Sequence, residues 1–511
     1  MEFLHQLWLQ DERWEVGQPA IVDSSAAYQP QQLHDQSGQC ARWLQGLGVR
    51  PGNRVMVVAD ASFSSICMLA ACSMVDATFT IISPEVPIIR RSTIVNEIEP
   101  TVILVDSLSA VAPEFLTLDP VFRRYQWSVT SLTGVDVFRT RAVGTDAAWI
   151  VFTSGSTGKP KGIVMSHAAV LSFWDGLIAH MQPPLGSRYA SLSPLQFDFS
   201  LLDIGLCLGS GTTLYFPNRL LLHKPTQLLK VLSQWGITHM SSVPTVWKLM
   251  LKLCGKDISE FTSLKRIVFA GEHFPAEHMR SIHDQLPGVD FYNIYGQSES
   301  IACTFEVLGP RYFLSETPHA PIGKGHRAIE MMLWDSDGRR ISEPDQIGEL
   351  VIRGLPLFSG YWKLPKETAT RLIDDPAYPE FAHKVFKTGD NCYFDVQGCF
   401  YFVGRCDNQI KVNGNRVELE EIERHLNAFD GISNSCVLTV GDGQDTELHA
   451  VVVVQVGGQS PQSLEAQLRA HLSGVLPGYM LPRKYHLRED IPITANGKND
   501  RQKLKSLLVL D

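Results

Sequence analysis

Short apolar runs alternate with longer amphipathic stretches over the first 145 residues of the chain. Val55–Val58, Thr78–Ile82 and Val102–Val105 are largely apolar runs of strand length, and Ser64–Met74 has the length and composition of a helix. Apolar runs of this length are typical of strands buried on both faces of a parallel sheet, with helices as the connections. The pattern predicts βαβ units and an α/β fold.

The alternation continues in the middle of the chain. Ser166 precedes an apolar stretch that ends near Met181, and serine is a favoured residue at a helix N-cap. Ile237–Ser241 and Arg266–Ala270 are again strand-like, and Gly271-Glu272 follows the second of them. Beyond residue 407 the chain becomes more charged and has strands and helices of its own, which predicts a second, smaller domain.

The length supports two domains, because 511 residues exceed the roughly 250–300 at which a single core stops growing. We expect a large α/β domain over residues 1–406, made of parallel sheets with a small β-barrel-like part. A small, mobile α+β domain is expected over residues 407–511. Hydrophobic residues at 44% and charged residues at 19% are ordinary values for a globular protein.

Charge and cysteine content exclude several classes of protein. A net charge of −9 leaves no basic surface for nucleic acid. Cys392, Cys399 and Cys406 are evenly spaced but lack a C-x-x-C pair, so they do not predict a zinc site, and the ten cysteines are expected to be free thiols. The acidic, amphipathic N-terminus does not resemble a signal peptide, and no run of about 18 apolar residues predicts a membrane span. A cytoplasmic protein is expected.

The stretch Trp149–Met165 has the composition of a phosphate-binding loop between two strands. Small residues allow successive backbone N–H groups to face one anion, and lysines add positive charge. The stretch does not match the P-loop of an ATPase, because only two residues separate Gly155 from Gly158 and Pro160 follows Lys159 where a Walker motif needs Ser or Thr. The alternative is a flexible Gly/Ser turn in a hairpin.

Asp198 is a charged residue in a largely apolar, helix-forming stretch. Such a charge is costly to bury unless it is paired. It is therefore either a capping aspartate whose side chain lies in water or a carboxylate that receives a cationic group of a ligand.

Three later motifs carry further candidate chemistry. FYNIYGQSES, residues 291–300, combines an aromatic residue at a strand end with a carboxylate, which suits base stacking and metal binding, although a core tyrosine would give the same pattern. Asp390 lies next to a glycine and has two acceptor oxygens for a diol; a turn aspartate is the alternative. Lys498 follows an Asn-Gly turn, where lysines are commonly just solvated.

Taken in order, these motifs resemble those of the adenylate-forming superfamily, which includes acyl-CoA synthetases, luciferases and the adenylation domains of peptide synthetases. The resemblance runs from about residue 20 to the C-terminus. It departs from the usual pattern at Gln297 and Ser298, where Pro-Thr is commoner, and at Asn499, where an aliphatic residue is usual.

The resemblance implies a role for each motif. The catalytic residues would be Lys498, Glu299 and Thr153, with Mg²⁺ on Glu299 and a hinge at Asp407. The remaining contacts to ATP and AMP would come from Ser154, Gly155, Ser156, Thr157, Gly158, Lys159, Gly271, Glu272, Asn293, Ile294, Tyr295, Gly296, Ser298, Asp390 and Arg405. Asn293 would lie at the adenine edge, Tyr295 on its face, and Asp390 would accept both ribose hydroxyls.

The resemblance also favours the functional interpretation of Asp198, because amino-acid-activating members hold the substrate amino group with this Asp. The side-chain pocket would be formed by Phe199, Leu202, Ser241, Val268, Ala270, Ile294, Ala302 and Cys303. None of these is ionised, which predicts a small apolar amino acid. The residues at 202, 270 and 303 are similar to those of prolyl-carrier-protein ligases, so L-proline is the first choice. Resemblance to D-alanine–carrier ligases makes alanine the second.

The implied reaction forms an aminoacyl adenylate from ATP and transfers the aminoacyl group to a phosphopantetheine thiol. The chain ends shortly after Lys498 and has no condensation module before the core, so the thiol is expected on a separate carrier protein of nonribosomal biosynthesis. Two other hypotheses stay open. One is an acyl-CoA ligase of the same superfamily, and the other is an ATP-binding paralogue that lacks catalytic activity.

Overall fold

The computed structural model of the chain describes residues 2–10, 13–106, 123–127, 142–155, 160–309, 312, 320–406, 409–412, 414–441, 447–454, 461–492, 499 and 501–508. Two compact units are present. The large unit comprises Met1–Pro84, Ile98–Val151 and Gly162–Cys406, and the small unit comprises Glu85–Glu97, Phe152–Lys161 and Asp407–Asp511.

The first sheet of the large unit has eight strands in the order β14-β13-β12-β11-β9-β10-β1-β2. The strands from β13 to β1 are parallel to one another, and β14 and β2 pair antiparallel at the two edges. The strand bounds are β1 Ile21–Val22, β2 Ala27–Tyr28, β9 Arg188–Ser191, β10 Thr213–Tyr215, β11 His239–Ser242, β12 Arg266–Ala270, β13 Asp290–Tyr295 and β14 Thr304–Leu308.

The second sheet has seven strands in the order β19-β8-β7-β4-β3-β5-β6. Three of them coincide with the apolar runs of the sequence, and β3, β4 and β5 pair in parallel, as their two-sided burial requires. The bounds are β3 Arg54–Val58, β4 Thr78–Ile82, β5 Val102–Asp106, β6 Arg123–Trp127, β7 Ala147–Thr153, β8 Lys161–Ser166 and β19 Gly360–Tyr361.

The third sheet has seven antiparallel strands in the order β15-β22-β21-β18-β16-β17, and β20 also pairs with β21. Its bounds are β15 Pro321–Gly323, β16 Ile329–Trp334, β17 Arg340–Ile341, β18 Gly348–Gly354, β20 Leu372–Asp374, β21 Lys384–Phe394 and β22 Phe400–Arg405. Parallel sheets with a separate antiparallel sheet and a smaller second unit confirm the predicted fold class.

The helices begin where the sequence supplies caps or prolines. Ser166 is the predicted N-cap and is confirmed, since its side chain accepts a hydrogen bond from the Ala169 N–H at 3.1 Å. The helices are α1 Leu4–Trp8, α2 Pro30–Gly46, α3 Phe63–Met74, α4 Ile88–Ile98, α5 His167–Met181, α6 Asp198–Ser210, α7 Pro225–Gln234, α8 Pro244–Cys254, α9 Ala276–Gln285, α10 Pro365–Arg371, α11 Leu419–Asn427, α12 Pro461–Val475 and α13 Arg501–Leu508.

Strand β12 separates two apolar cores of the large unit. Ile267 and Phe269 belong to the core on one face of the first sheet, whereas Val268 belongs to the larger core on the other face and Ala270 packs against it. This alternation follows from the period of two along a strand. Val268 and Ala270 therefore lie on the face of the first sheet whose core also includes the buried residues of helix α6.

The small unit has a hairpin of β23 (Gln409–Val412) and β24 (Asn415–Glu418) and a three-stranded sheet of β25 (Ile432–Val440), β26 (Glu447–Val454) and β27 (Lys484–Arg488). Leucines and valines from the strands and from helices α11 and α12 form its core. Arg90 on α4 and Glu421 on α11 form a buried ion pair at 2.6 Å within this unit. Breaking one partner of such a pair leaves an uncompensated charge, so the pair fixes where α4 packs.

Candidate active site

The carboxyl ends of β11, β12 and β13 lie side by side and bring four predicted pocket residues together. Ser241 pairs with Val268, and Ala270 pairs with Ile294. Paired residues on neighbouring strands point to the same face of a sheet. In open parallel sheets, ligands bind outside the carboxyl ends of the strands. Gly271, which follows β12, and Tyr295, the last residue of β13, lie at these ends.

Helix α6 supplies the other side of the predicted pocket. Asp198 is its first residue and is half-buried, and the Phe199 N–H donates to Asp198 Oδ1 at 3.0 Å. A carboxylate is favoured here because the free N–H groups of the first turn carry partial positive charge. Leu202 is four residues further on and therefore lies on the same face of the helix as Asp198. The helix thus places a carboxylate and an apolar pocket candidate on the same face.

A close approach between two helices fixes the position of α6. A Cβ added at Gly205 would lie 1.9 Å from Trp174 Nε1 of α5, so only glycine fits at this position. The Trp174 N–H in turn donates to Leu201 O at 2.8 Å. Trp174 of α5 thus packs closely against α6 at Gly205 and Leu201 and fixes the helix that carries Asp198.

Tyr295, Gln297, Asp390 and Arg405 form a hydrogen-bonded group, called here the Asp390 cluster. Tyr295 Oη donates to Asp390 Oδ2 at 2.5 Å, and Gln297 Nε2 donates to the same oxygen at 2.7 Å. Arg405 Nη1 lies 2.5 Å from Oδ1, because Asp390 and Arg405 are directly paired on β21 and β22. Burial and the neighbouring carboxylate raise the pKa of the Tyr295 phenol, which therefore stays protonated and donates. The structure thus unites three residues predicted for ATP with one that was not.

Asn293 and the tight turn after Tyr295 complete this edge of the sheet. Asn293 Nδ2 donates to Pro321 O at 2.8 Å. A Cβ at Gly296 would lie 2.3 Å from Ile301 O, so the chain can fold back closely only with glycine there. The Cys303 N–H then donates to Tyr295 O at 2.7 Å, which places Ala302 and Cys303 beside the strand end. Burial raises the pKa of the Cys303 thiol to about 12, so it acts as a small apolar wall rather than as a nucleophile.

Glu299 is fully buried, and Tyr361 Oη donates to its Oε1 at 2.8 Å. A carboxylate oxygen is a ligand that Mg²⁺ prefers, and Mg²⁺ usually takes one or two carboxylates together with waters and substrate phosphates. No group of three or more His, Cys, Asp or Glu side chains in the described part of the chain could hold a metal. The donor set at Glu299 therefore fits a Mg²⁺ that arrives with a nucleotide.

Other predicted residues have structural partners of their own. Glu272 Oε2 accepts from the Thr245 hydroxyl at 2.7 Å and from its N–H at 3.3 Å, at the start of helix α8. Gly271 has a positive φ of 87° and Ser298 is half-buried. The positive φ of Gly271 is a backbone conformation that glycine adopts readily.

Ser241 is fully buried, and its Oγ lies 2.5 Å from Tyr189 Oη. Its hydroxyl therefore faces Tyr189 and the Asp203 carboxyl rather than open space. Nearby on α6, Asp203 is fully buried and Ser191 Oγ donates to it at 2.5 Å. Burial raises the pKa of the Asp203 carboxyl to about 7, and hydrogen bonds from Ser191 and Ser241 oppose this shift.

The raised pKa of Asp203 makes stability depend on pH. Because the folded-state pKa lies above the unfolded-state value, this group stabilises the fold fully at pH below about 4 and loses that contribution as the pH rises through about 7. We expect Asp203→Asn to remove a decrease of about 2–4 kcal/mol in the free energy of unfolding between pH 4 and pH 8. Denaturant unfolding of both proteins across this range measures the difference, and parallel pH curves would contradict it.

The predicted phosphate loop begins in the small unit. Ser154 Oγ donates to Arg416 O at 2.7 Å, and Gly155 is buried. Thr153 Oγ1 is buried and has no hydrogen-bond partner among the described residues, so it is a polar atom suited to a ligand oxygen. Ser156, Thr157, Gly158, Lys159, Asp407 and Lys498 lie outside the described residues.

Three residues of the site region were missed in the sequence. Gln297 looks like a neutral replacement for proline, Tyr361 lies in a stretch to which no chemistry was assigned, and Asp203 is one more charge in an apolar helix. Only Asp203 carried a usable sequence pattern, because a second acidic residue in an apolar helix needs a buried partner. The described residues contain no helix that is long and apolar enough to cross a bilayer.

Comparison with known proteins agrees with this geometry. The family described as AMP-binding enzyme matches residues 7–362, and the AMP-binding enzyme C-terminal domain matches residues 421–498. An L-proline--[L-prolyl-carrier protein] ligase of Pseudomonas fluorescens is 30% identical over 515 residues, covering 98% of each chain. A D-alanine--D-alanyl carrier protein ligase of Staphylococcus aureus is 28% identical, covering 94% of this chain and 93% of the relative.

Among solved structures, the crystal structure of IdnL1 superposes with a TM-score of 0.86 at 33% identity, covering 96% of this chain and 99% of the other. The resemblance inferred from the motifs is thereby confirmed. With both family domains matched in chain order, and with ligases among relatives that span nearly its whole length, the chain belongs to the AMP-binding enzyme family.

Proposed function

We propose that this chain activates a small apolar amino acid with ATP and transfers the aminoacyl group to the phosphopantetheine thiol of a separate carrier protein. The observation that carries the proposal is the position of Asp198. Its carboxylate starts helix α6 next to apolar residues that line one face of the first sheet. An apolar pocket with one carboxylate suits a substrate with an ammonium group and an apolar side chain.

The nucleotide would bind at the strand ends, in the Asp390 cluster and beside Asn293. Asp390 would accept a ribose hydroxyl at the acceptor position that remains on Oδ1, and Tyr295 would supply an aromatic face at the same place. Glu299 would hold Mg²⁺, which neutralises the charge of the phosphates when it is bound. The loop that begins at Thr153 would hold the phosphates through backbone N–H groups.

In the first half-reaction, an oxygen of the substrate carboxylate attacks the α-phosphorus of ATP. The bond from that phosphorus to the bridging oxygen breaks, and pyrophosphate leaves with the electron pair. Both reactants are anions, so the site must supply positive charge and alignment. We assign this role to Lys498, which would bridge the carboxylate and phosphate oxygens.

In the second half-reaction, the phosphopantetheine sulfur attacks the acyl carbon, the thiol proton is lost, and AMP leaves with the electron pair of the broken carbon–oxygen bond. Asp407 follows the last residue of the large unit and is our candidate for the hinge between the two half-reactions. A carrier protein is the favoured thiol donor, since the relatives that match nearly the whole chain are named carrier-protein ligases.

L-Proline is the first choice of substrate and D-alanine the second, because relatives of both kinds match nearly the whole chain and the proline ligase is slightly more similar, at 30% against 28% identity. Phe199, Leu202, Val268, Ala270, Ile294, Ala302 and Cys303 all belong to or pack against one apolar core. No charged side chain occurs among them, so a charged substrate side chain would have no partner. A difference of one or two methylene groups changes binding by only about 1–3 kcal/mol, so neighbouring small amino acids are expected as weaker substrates.

The test is amino-acid-dependent ATP–pyrophosphate exchange over a full panel of L- and D-amino acids. We expect the highest kcat/KM with L-proline, and exchange with tetrahydrofuran-2-carboxylate, a ring of similar size without the amine, to be at least about 100-fold weaker. Lys498→Ala serves as the catalytic control and should abolish exchange with every substrate. Efficient exchange with carboxylates that lack an amine would instead identify an acyl-CoA ligase.

A further inference from the structure

Gln297 belongs to the Asp390 cluster, although nothing in the amino-acid sequence indicates a contact between Gln297 and Asp390. It is buried, with 8% of its surface exposed, and its Nε2 donates both to Asp390 Oδ2 at 2.7 Å and to Thr388 O at 3.0 Å. One amide nitrogen therefore bridges the first and last residues of the bulged segment Thr388-Gly389-Asp390 within β21. Because a carboxylate and a carbonyl only accept hydrogen bonds, this contact requires the amide nitrogen and fixes the orientation of the amide.

Backbone hydrogen bonds hold the bulged segment at Gly389 but do not orient the side chain of Asp390. Gly389 has a positive φ of 74°, a conformation that glycine adopts freely in the unfolded chain along with many others. The Asp390 N–H donates to Thr388 Oγ1 at 3.0 Å, and Thr388 Oγ1 donates to Leu350 O at 2.7 Å. These bonds hold the backbone, whereas the side-chain carboxylate of Asp390 is oriented by its own donors.

A count of those donors shows what Gln297 contributes. A carboxylate has about four acceptor positions, two on each oxygen. Among the described residues, Oδ2 accepts from Tyr295 and Gln297, and Oδ1 accepts from Arg405. Oδ2 is therefore fully used, and the remaining acceptor position lies on Oδ1.

We propose that Gln297 is a positioning residue for ribose recognition: by holding Oδ2, it directs the free acceptor position of Asp390 Oδ1 at a ribose hydroxyl. This inference rests on the proposed function, in which Asp390 binds the ribose of ATP. It adds a residue that acts through Asp390 and touches no substrate. It also predicts that the ribose hydroxyls contribute to affinity only while Gln297 is present.

The test uses Gln297→Met, which keeps the volume of the side chain and removes both hydrogen bonds. Binding of ATP, 2′-deoxy-ATP and 3′-deoxy-ATP to the full-length protein is measured by titration calorimetry. Wild type should bind at least one deoxy nucleotide about tenfold or more weakly than ATP, the loss expected for a hydrogen bond to a charged group. In Gln297→Met, ATP affinity should fall about tenfold while affinity for that deoxy nucleotide changes less than about threefold. The discrimination between the two nucleotides thereby largely disappears.

Steady-state exchange gives a second readout. Gln297→Met should raise the KM for ATP about tenfold and leave kcat within about twofold, because the interaction it removes acts on binding. Gln297→Glu places a carboxylate against Asp390 and should lose more affinity than Gln297→Met. Gln18→Met is the matched control: Gln18 donates to Gly211 O and Thr213 Oγ1, outside the cluster, and its loss should leave the discrimination unchanged.

The outcomes separate the two proposals. An equal loss for ATP and both deoxy nucleotides in Gln297→Met, or a wild type that does not distinguish them, overturns the positioning role. A wild type that distinguishes ATP from a deoxy nucleotide but exchanges pyrophosphate with no amino acid refutes the proposed function. The positioning role is then decided separately, by the calorimetric comparison of wild type with Gln297→Met.

Discussion

Asp198→Ala is expected to lower amino-acid-dependent pyrophosphate exchange by roughly 10²–10³-fold or more. The carboxylate is half-buried at the start of α6 and faces the same side of the helix as Leu202. Without it, a substrate ammonium would be transferred from water to an apolar pocket with no counter-charge, at a cost of about 3–5 kcal/mol. The measurement is kcat/KM in exchange with the best amino acid of the panel.

Asp175→Ala is the matched control for this prediction. Asp175 lies on the neighbouring helix α5, is 65% exposed and pairs with Arg327, which is also largely exposed. Exposed pairs contribute little, so this variant should remain within about twofold of wild type. If Asp198→Ala retains near wild-type exchange, the substrate amine is bound by another group and the amino-acid assignment is wrong, while the nucleotide site is unaffected.

Asp390→Ala is expected to weaken ATP binding by roughly 10²–10³-fold and to lower thermal stability. The substitution leaves the Arg405 guanidinium, the Tyr295 hydroxyl and the Gln297 amide without the acceptor they share. Removing one partner of a buried charge pair costs about 3–5 kcal/mol. Titration calorimetry with ATP and a thermal unfolding curve measure the two effects separately.

Asp375, which follows β20 of the third sheet, provides a matched control for the loss of stability. Asp375 is also buried, at 2% exposure, and pairs with Arg353 at 3.1 Å. Asp375→Ala should lower the unfolding temperature to a similar extent and leave ATP affinity within about twofold. Equal losses of ATP affinity in both variants would show that general destabilisation, and not a contact at Asp390, accounts for the effect.

The buried strands of the large unit were predictable because each is a continuous apolar run. Thr78–Ile82 in the sequence is β4 in the structure, and Val55–Val58 lies within β3. A two-sided parallel strand must be apolar throughout, so its composition reveals both its type and its burial. The same argument does not give strand order, since β9 pairs with β10 and β11 only through long connections.

The Asp390 cluster was only partly predictable. Tyr295 and Asp390 were selected one by one from their motifs, but they are 95 residues apart and nothing local indicates that they touch. Gln297 was hidden for a related reason, since its hydrogen bonds reach Thr388 and Asp390 on a different sheet. Ser241 was assigned to the pocket from the family resemblance, which carries no information on its hydrogen bond to Tyr189.

The pairing of Ser241 with Val268 and of Ala270 with Ile294 has a consequence for enzyme engineering. These strands pair in parallel, and neighbouring strands lie only about 4.8 Å apart, so each member of a pair limits the volume available to the other. Substitutions in contact combine non-additively. Libraries that vary each pair jointly, with a larger residue compensated by a smaller one, are therefore the productive route to new amino-acid preferences in this scaffold.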